Sequence, residues 1–295
     1  MKNGHRRMQK KEKSDLLSPC CDYIFKNIFA KETHKRALIS LLNSVLDGHP
    51  VIRDITIENP EIPRDFKKGK SVGLDIRATT DDTTKLQIDV QCQEDGCIAN
   101  RSVFYQAKMQ KNTLKKNEEY DDLPNIISIW LVNYDETRRK YHTHEAVYTF
   151  KKTPLDQPEI ATDKFRIFIV ELPKVDIKHA KISDIFKVWV YFLRYPKRVP
   201  AEFLTIPEVK EAMEELRYVS CDPEVRRGYD DYMRWQNDQI NAQSHAFNKG
   251  KREGETRGRM EGMTEMARNL LKNNVDINVI ARSSGLSVSE IEKLN

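Results

Sequence analysis

No stretch of this 295-residue chain approaches the roughly 18 consecutive apolar residues that a membrane span needs. The best run, Ile126 to Val132, has the length of a strand. The basic N-terminus, MKNGHRRMQKKEK, is not followed by an apolar segment, so no secretory signal is expected. Cysteine is sparse: Cys20, Cys21, Cys92, Cys97 and Cys221 form an odd set with no CxxC pair. That excludes a disulfide framework and a zinc cluster, and it suits free thiols in a reducing cytoplasm. The chain also lacks a GxxxxGK[ST] phosphate loop, an HExxH helix and a GxSxG elbow. The seven histidines show no metal-ligand spacing beyond His142 and His144, which fall in an expected hairpin.

What is present begins with charge. The net charge is +5, and residues 1–13 account for all of it: Lys2, Arg6, Arg7, Lys10, Lys11 and Lys13 stand against Glu12 alone. The rest of the chain is neutral, so overall basicity by itself does not identify a nucleic-acid partner. Hydrophobic residues make up 39% and charged residues 32%, the balance of a globular core with a heavily charged surface or a long solvated helix.

Apolar positions from Tyr23 to Phe29 and from Ala37 to Val45 have helical spacing, and Asp47-Gly48 supplies a stop. Val51–Ile57 reads as a strand, followed by a connection with Pro60 and Pro63 and a basic loop, Arg64–Lys70. Two alternating segments, Ser71–Thr79 and Lys85–Gln93, flank a polar turn and predict a hairpin. Helical spacing follows over 100–116, then strands at Ile126–Tyr134, Ala146–Phe150 and Phe165–Leu172, and an apolar helix at Ile182–Tyr195. This order gives an α/β class with a mixed sheet. From Asp222 the sequence turns polar and helix-permissive. Gly250, Gly254, Gly258 and Gly262 recur every four residues there, which suits a flexible or self-associating stalk.

The hairpin carries the chemistry. With the turn centred on Asp82, Asp75 faces Asp89, Arg77 faces Gln87 and Thr79 faces Lys85. Leu74, Ile76, Ala78, Leu86, Ile88 and Val90 then form an apolar face. Opposed carboxylates bring their Cβ atoms to about 4.5–5.5 Å, where like charges repel. A divalent cation between them reverses that sign, and Mg²⁺ suits one or two carboxylates completed by water and phosphate oxygens. Gln91, on the same face, could orient an attacking water. A solvated polar strand face accounts for the pattern without a metal. A one-residue slip of register would remove the pairing altogether.

Asp75, followed by Asp89-Val90-Gln91, resembles the split Asp…(Asp/Glu)-x-Lys signature of PD-(D/E)XK nucleases. More closely, the chain resembles the recombination-promoting nuclease/transposase family within that superfamily. The resemblance rests on SPCCDYIFKNIFA (18–30), GLDIRATTDDTTKLQIDVQ (73–91), NRSVFYQAKM (100–109) and YDDLPNIISIWLVNY (120–134), and it covers roughly residues 15–200. It implies a restriction-endonuclease-like mixed sheet flanked by helices. It also implies Mg²⁺ or Mn²⁺ on Asp75, Asp89 and the Val90 carbonyl, and DNA as substrate in a bacterial recombination or transposition setting. Gln91 departs from the usual lysine and offers dipoles where the family offers a charge.

Compensation is expected from the next helix. Arg101, Tyr105 and Lys108 share one face there, extended by Lys111, Lys115 and Lys116, as phosphate contacts or as a solvated face. Asp22 and Lys26 open the first helix, where Asp22 lines the site or caps the helix. The expected organisation is a basic tail (1–14), a nuclease-like domain (15–220), a charged stalk able to pair copies of the chain (221–265) and a small helical unit (266–295). In that last unit Ile280, Ala281, Gly285 and Ile291 have helix-turn-helix spacing. Glu290 and Glu292 on its second helix would repel DNA, which favours a helical cap or an oligomerisation element.

Overall fold

The structure, a computed structural model, describes residues 16–47, 50–59, 75–92, 98–111, 113, 119, 122–135, 143–152 and 162–294. The basic tail, the proline connection with its basic loop, Leu74, Cys97, Lys115, Lys116 and His142 lie outside the described residues. The chain divides into two compact units, 1–232 and 233–295, and the division falls within one long helix.

Six strands form the sheet of the first unit: β1 (Ile55–Ile57), β2 (Ile76–Thr80), β3 (Lys85–Gln91), β4 (Ile126–Val132), β5 (Val147–Lys152) and β6 (Thr162–Glu171). Their spatial order is β1-β2-β3-β4-β6-β5. β3, β4 and β6 run parallel to one another, while β1, β2 and β5 pair antiparallel. β4 is buried along its whole length, as suits a strand of a parallel core that is apolar apart from Ser128.

β2 and β3 keep the expected register, with Arg77 opposite Gln87 and Thr79 opposite Lys85. Their turn sets Thr83 at φ 67°, an unfavourable conformation for a β-branched residue. Asp82 supports it by accepting hydrogen bonds from the Thr84 amide (3.2 Å) and the Thr80 hydroxyl. The polar face of β3 is not solvated, however. Gln87 and Asp89 are both buried, because this face lies on the side of the sheet covered by the helix after β3.

That helix is α3 (Ile98–Gln110), preceded in the chain by α1 (Asp22–Phe29) and α2 (Lys35–Leu46). α3 turns Ile98 toward a cluster with Trp130, Val132, Ile167 and Ile169 of the sheet. α2 ends with Asp47 in the left-handed region at φ 51°. Asp47, one of the few side chains that tolerate this conformation, thus stands at the expected stop, and Gly48 lies outside the described residues. α4 (Ile185–Arg194) packs beside α2, and Trp189 donates to the Ser40 hydroxyl at 3.1 Å. The rings of Phe29, Trp189 and Phe192 meet edge to face.

α5 (Pro207–Cys221) has no counterpart in the sequence reading. It is polar apart from a stripe of Val209, Ala212, Met213, Leu216 and Val219 that packs on α1 and α2. α6 (Pro223–Lys272) runs for 50 residues as a single helix. Its first turns belong to the first unit, where Tyr232 is buried and stacks on Tyr23.

In the second unit Ala267, Ile280, Leu286 and Ile291 form a small core. α7 (Ile277–Ser284) ends at Gly285, which takes φ 73°, and α8 (Val288–Glu292) follows. Glu290 accepts from the Ser287 amide at 2.8 Å and the Ser287 hydroxyl oxygen accepts from the Glu290 amide at 3.3 Å, a reciprocal cap that gives this acid a structural use. No helix among the described residues is long and apolar enough to cross a membrane.

The glycines of α6 differ sharply in surroundings. A Cβ on Gly228 would overlap the Tyr23 hydroxyl, whereas one on Gly254 would meet nothing within 4 Å. Gly228→Ala is expected to lower stability by about 1–3 kcal/mol. Gly254→Ala should stabilise its helix by about 0.5–1 kcal/mol. Urea unfolding followed by circular dichroism checks both, and equal effects would contradict the packing described.

Candidate functional site

β3 supplies Asp89 and Gln91 from the centre of the sheet, and β2 brings up Asp75. The last ladder pair is Ile76 with Ile88. One step further, the same register sets Asp75 against Asp89 on the side of the sheet that α3 covers. Asp75 lies just outside the ladder and is half-buried. The alternation of the antiparallel ladder turns the Val90 carbonyl toward the β2 side. These three oxygen sources share the end of the hairpin away from its turn.

Asp75 is fixed through its backbone. Its carbonyl accepts from Asn59 Nδ2 at 2.9 Å and from Lys26 Nζ at 3.4 Å. Asn59 in turn accepts from the Arg77 amide at 2.7 Å, so its side chain continues the pairing where β1 has ended. Lys26 is itself almost fully buried on α1. The Asp75 carboxylate lies 3.6 Å from Arg77 Nε, an exposed and therefore weak pairing.

Asp89 is 7% exposed, and its Oδ1 accepts from Gln91 Nε2 at 2.6 Å. Gln91 Oε1 accepts from Arg101 Nη1 at 3.2 Å. The Arg101 guanidinium lies 5.6 Å from the ring centres of both Tyr105 and Trp130. These aromatic faces hold the cation where it favours ionised Asp89 across the Gln91 amide. Loss of hydration dominates nonetheless and raises Asp89 to about 7. The charges of Asp22 and Asp75 push in the same direction, while Gln91 and Arg101 oppose it.

Asp22 is the first residue of α1, and Cys21 occupies the cap position without a capping bond. Asp22 therefore does not cap the helix. Its Oδ1 accepts from the Tyr23 amide at 2.9 Å, and its Oδ2 accepts from the Tyr232 hydroxyl at 2.5 Å. Burial raises its pKa, and these hydrogen bonds hold it down.

The structure thus brings together Asp22, Lys26, Asp75, Asp89, Gln91 and Arg101. Tyr105 serves as a platform for Arg101. Lys108 is exposed and stands apart from this group. Both ends of the Gln91 amide are engaged within the protein, which suits a positioning role more than a grip on water. Asn59 and Tyr232 were not legible as site residues. A single asparagine before a proline and a tyrosine in a charged helix carry no signal of their own.

The donors available to a metal are hard oxygens, suited to Mg²⁺ or Mn²⁺ and not to zinc. Asp89 Oδ2 accepts no hydrogen bond among the described residues and is not among the polar atoms sealed from solvent without a partner, so this oxygen is open to an incoming ligand. No group of three or more His, Cys, Asp and Glu side chains placed to hold a metal occurs among the described residues. The fit is that of a two-carboxylate site completed by a carbonyl, water and substrate oxygens.

No curated protein and no solved structure matches the chain. Residues 19–246 match the family described as PD-(D/E)XK nuclease family transposase, a span that includes the whole sheet and every residue of the site. The mixed sheet flanked by helices is the fold this family implies, and the chain belongs to the PD-(D/E)XK nuclease family transposases.

Proposed function

We propose that the chain is a metal-dependent endonuclease that hydrolyses DNA phosphodiesters in a recombination or transposition setting. The observation that carries this reading is the hairpin register, which sets Asp75 beside a buried Asp89 whose second oxygen has no donor among the described residues. Asp75, Asp89 and the Val90 carbonyl hold Mg²⁺ or Mn²⁺. The ion supplies polarisation of the scissile phosphodiester and a water of lowered pKa. Gln91 fixes Asp89 Oδ1, and Arg101, held on Tyr105 and Trp130, provides the positive charge that the family's motif lysine would provide. Asp22 lines the same site and is oriented by Tyr232.

On α6, a Cβ at Gly250, Gly254, Gly258 or Gly262 would meet open space. This glycine face supports the reading of the stalk as a surface on which two copies of the chain pair.

Plasmid nicking in Mg²⁺ tests the chemistry. Asp75→Ala and Asp89→Ala should each lose at least about a hundredfold in rate, and Arg101→Ala about ten- to a hundredfold, the scale of a lost transition-state contact. A folded wild type that binds DNA but never cuts it would reassign the chain as a DNA-binding member whose site has decayed.

Asp89 also makes stability depend on pH. Its folded pKa of about 7 lies above the ordinary carboxylate value, so the folded state holds this proton more tightly than the unfolded state. The stabilisation is complete in acid and is lost as pH rises from about 4 to about 7, at a limiting slope of about 1.4 kcal/mol per pH unit. Asp89→Asn should therefore gain on the wild type in thermal melts across that window. Added Mg²⁺ should raise the wild-type midpoint at pH 7.5 and leave the Asn variant unmoved. The same Mg²⁺ shift in both proteins would remove Asp89 from the ligand set.

A further inference from the structure

A cavity of 450 Å³ opens where α4 ends, within the size range of small-ligand sites. Arg194, Tyr195, Lys197 and Arg198 line it from the end of α4 and the turn that follows, Leu17 comes from the segment before α1, and Tyr229 from α6. None of its lining residues is acidic. The walls are ordered by their own contacts. Arg194 donates to the Leu172 carbonyl at 3.3 Å, and its guanidinium lies 5.0 Å from the Tyr195 ring. Arg198 is exposed and forms no ion pair among the described residues, and the half-buried Tyr229 makes no hydrogen bond among them.

The cavity adjoins the acidic centre through shared backbone. Cys20 donates to the carbonyl of Leu193, next to Arg194, and Cys92, next to Gln91, donates to the carbonyl of Cys20. Tyr229 lies one helical turn before Tyr232, which bonds Asp22. Ser18 at the cavity and Asp22 at the centre are four residues apart, at most about 14 Å of chain. A nucleic-acid strand crossing Asp89 therefore reaches the cavity within a few nucleotides.

The chemistry selects the occupant. Cations alone would suit the convex backbone of a duplex. A concave site that adds two tyrosine rings and two leucines suits the face of a base, and a base offers its face only when unstacked and unpaired. We propose that this cavity holds an unpaired nucleotide of the strand being cut, its phosphate against Lys197 and Arg198 and its base against Tyr195 and Tyr229. The inference rests on the nucleic-acid reading of the neighbouring acidic centre.

Fluorescence anisotropy with the full chain in EDTA, where no metal-dependent cleavage intervenes, tests it. The probes are a labelled blunt duplex and the same duplex with a six-nucleotide single-stranded tail. The wild type should bind the tailed probe about tenfold more tightly, the scale of stacking one base. Tyr229→Ala should bring the two probes to within about twofold, and Tyr229→Trp should keep the preference. Arg198→Ala should weaken tailed binding and reduce its salt slope by about 0.7. Should Tyr229→Ala fail to fold, the exposed Arg198 carries the test alone. Equal wild-type affinity for both probes overturns the proposal, as does a preference that survives both substitutions. Loss of the tail preference to micromolar dAMP would make this a site for free nucleotide and overturn the strand assignment. Asp75→Ala should keep the preference while abolishing nicking, so that failure of the nuclease chemistry and failure of the cavity read out separately.

Discussion

The structure turns on a carboxylate that is buried without being neutralised by an adjacent cation. Asp89 stands on a central strand, under α3, within the electrostatic reach of two other acids. Leaving an anion in such a place costs several kcal/mol unless something compensates. The protein supplies only partial compensation: one amide bond from Gln91 and a guanidinium beyond it. A buried acid left short of partners marks a position kept for binding or chemistry more often than for packing. The surrounding architecture serves to hold this geometry against its own repulsion.

Several elements distant in sequence share that work. Asn59 extends the sheet beyond β1 by bonding both the Asp75 carbonyl and the Arg77 amide, so Asp75 cannot swing out of register. Lys26 reaches the same carbonyl from α1. The first turns of α6 close over the other end of the centre, with Tyr232 on Asp22 and Gly228 leaving room for Tyr23. The helix that carries the exposed glycines also orients a site carboxylate.

Much of this was legible in the sequence, for identifiable reasons. Period-two alternation on both sides of a short polar turn leaves a hairpin one register that buries its apolar residues, which is why the Arg77–Gln87 and Thr79–Lys85 pairs could be read directly. Arg101 followed from helical spacing next to β3. The burial of Gln87 and Asp89 could not be read, because it depends on α3 folding back over the polar face, a contact that no local pattern encodes. α5 escaped notice because its apolar stripe is dispersed among charged residues, two of which, Glu211 and Glu215, pair with Lys31 and His34 in the segment between α1 and α2. Tyr232 escaped because its partner lies 210 residues away.

The parallel pairing of β3 with β4 has a kinetic consequence. An antiparallel hairpin such as β2–β3 closes through a short turn, on the order of microseconds, whereas β3 can meet β4 only after the intervening chain has formed its crossover. Such non-local pairings pay their loop entropy before any contact rewards it, and they are slow to form. The two acids are thus carried by the most rapidly assembled piece of the sheet.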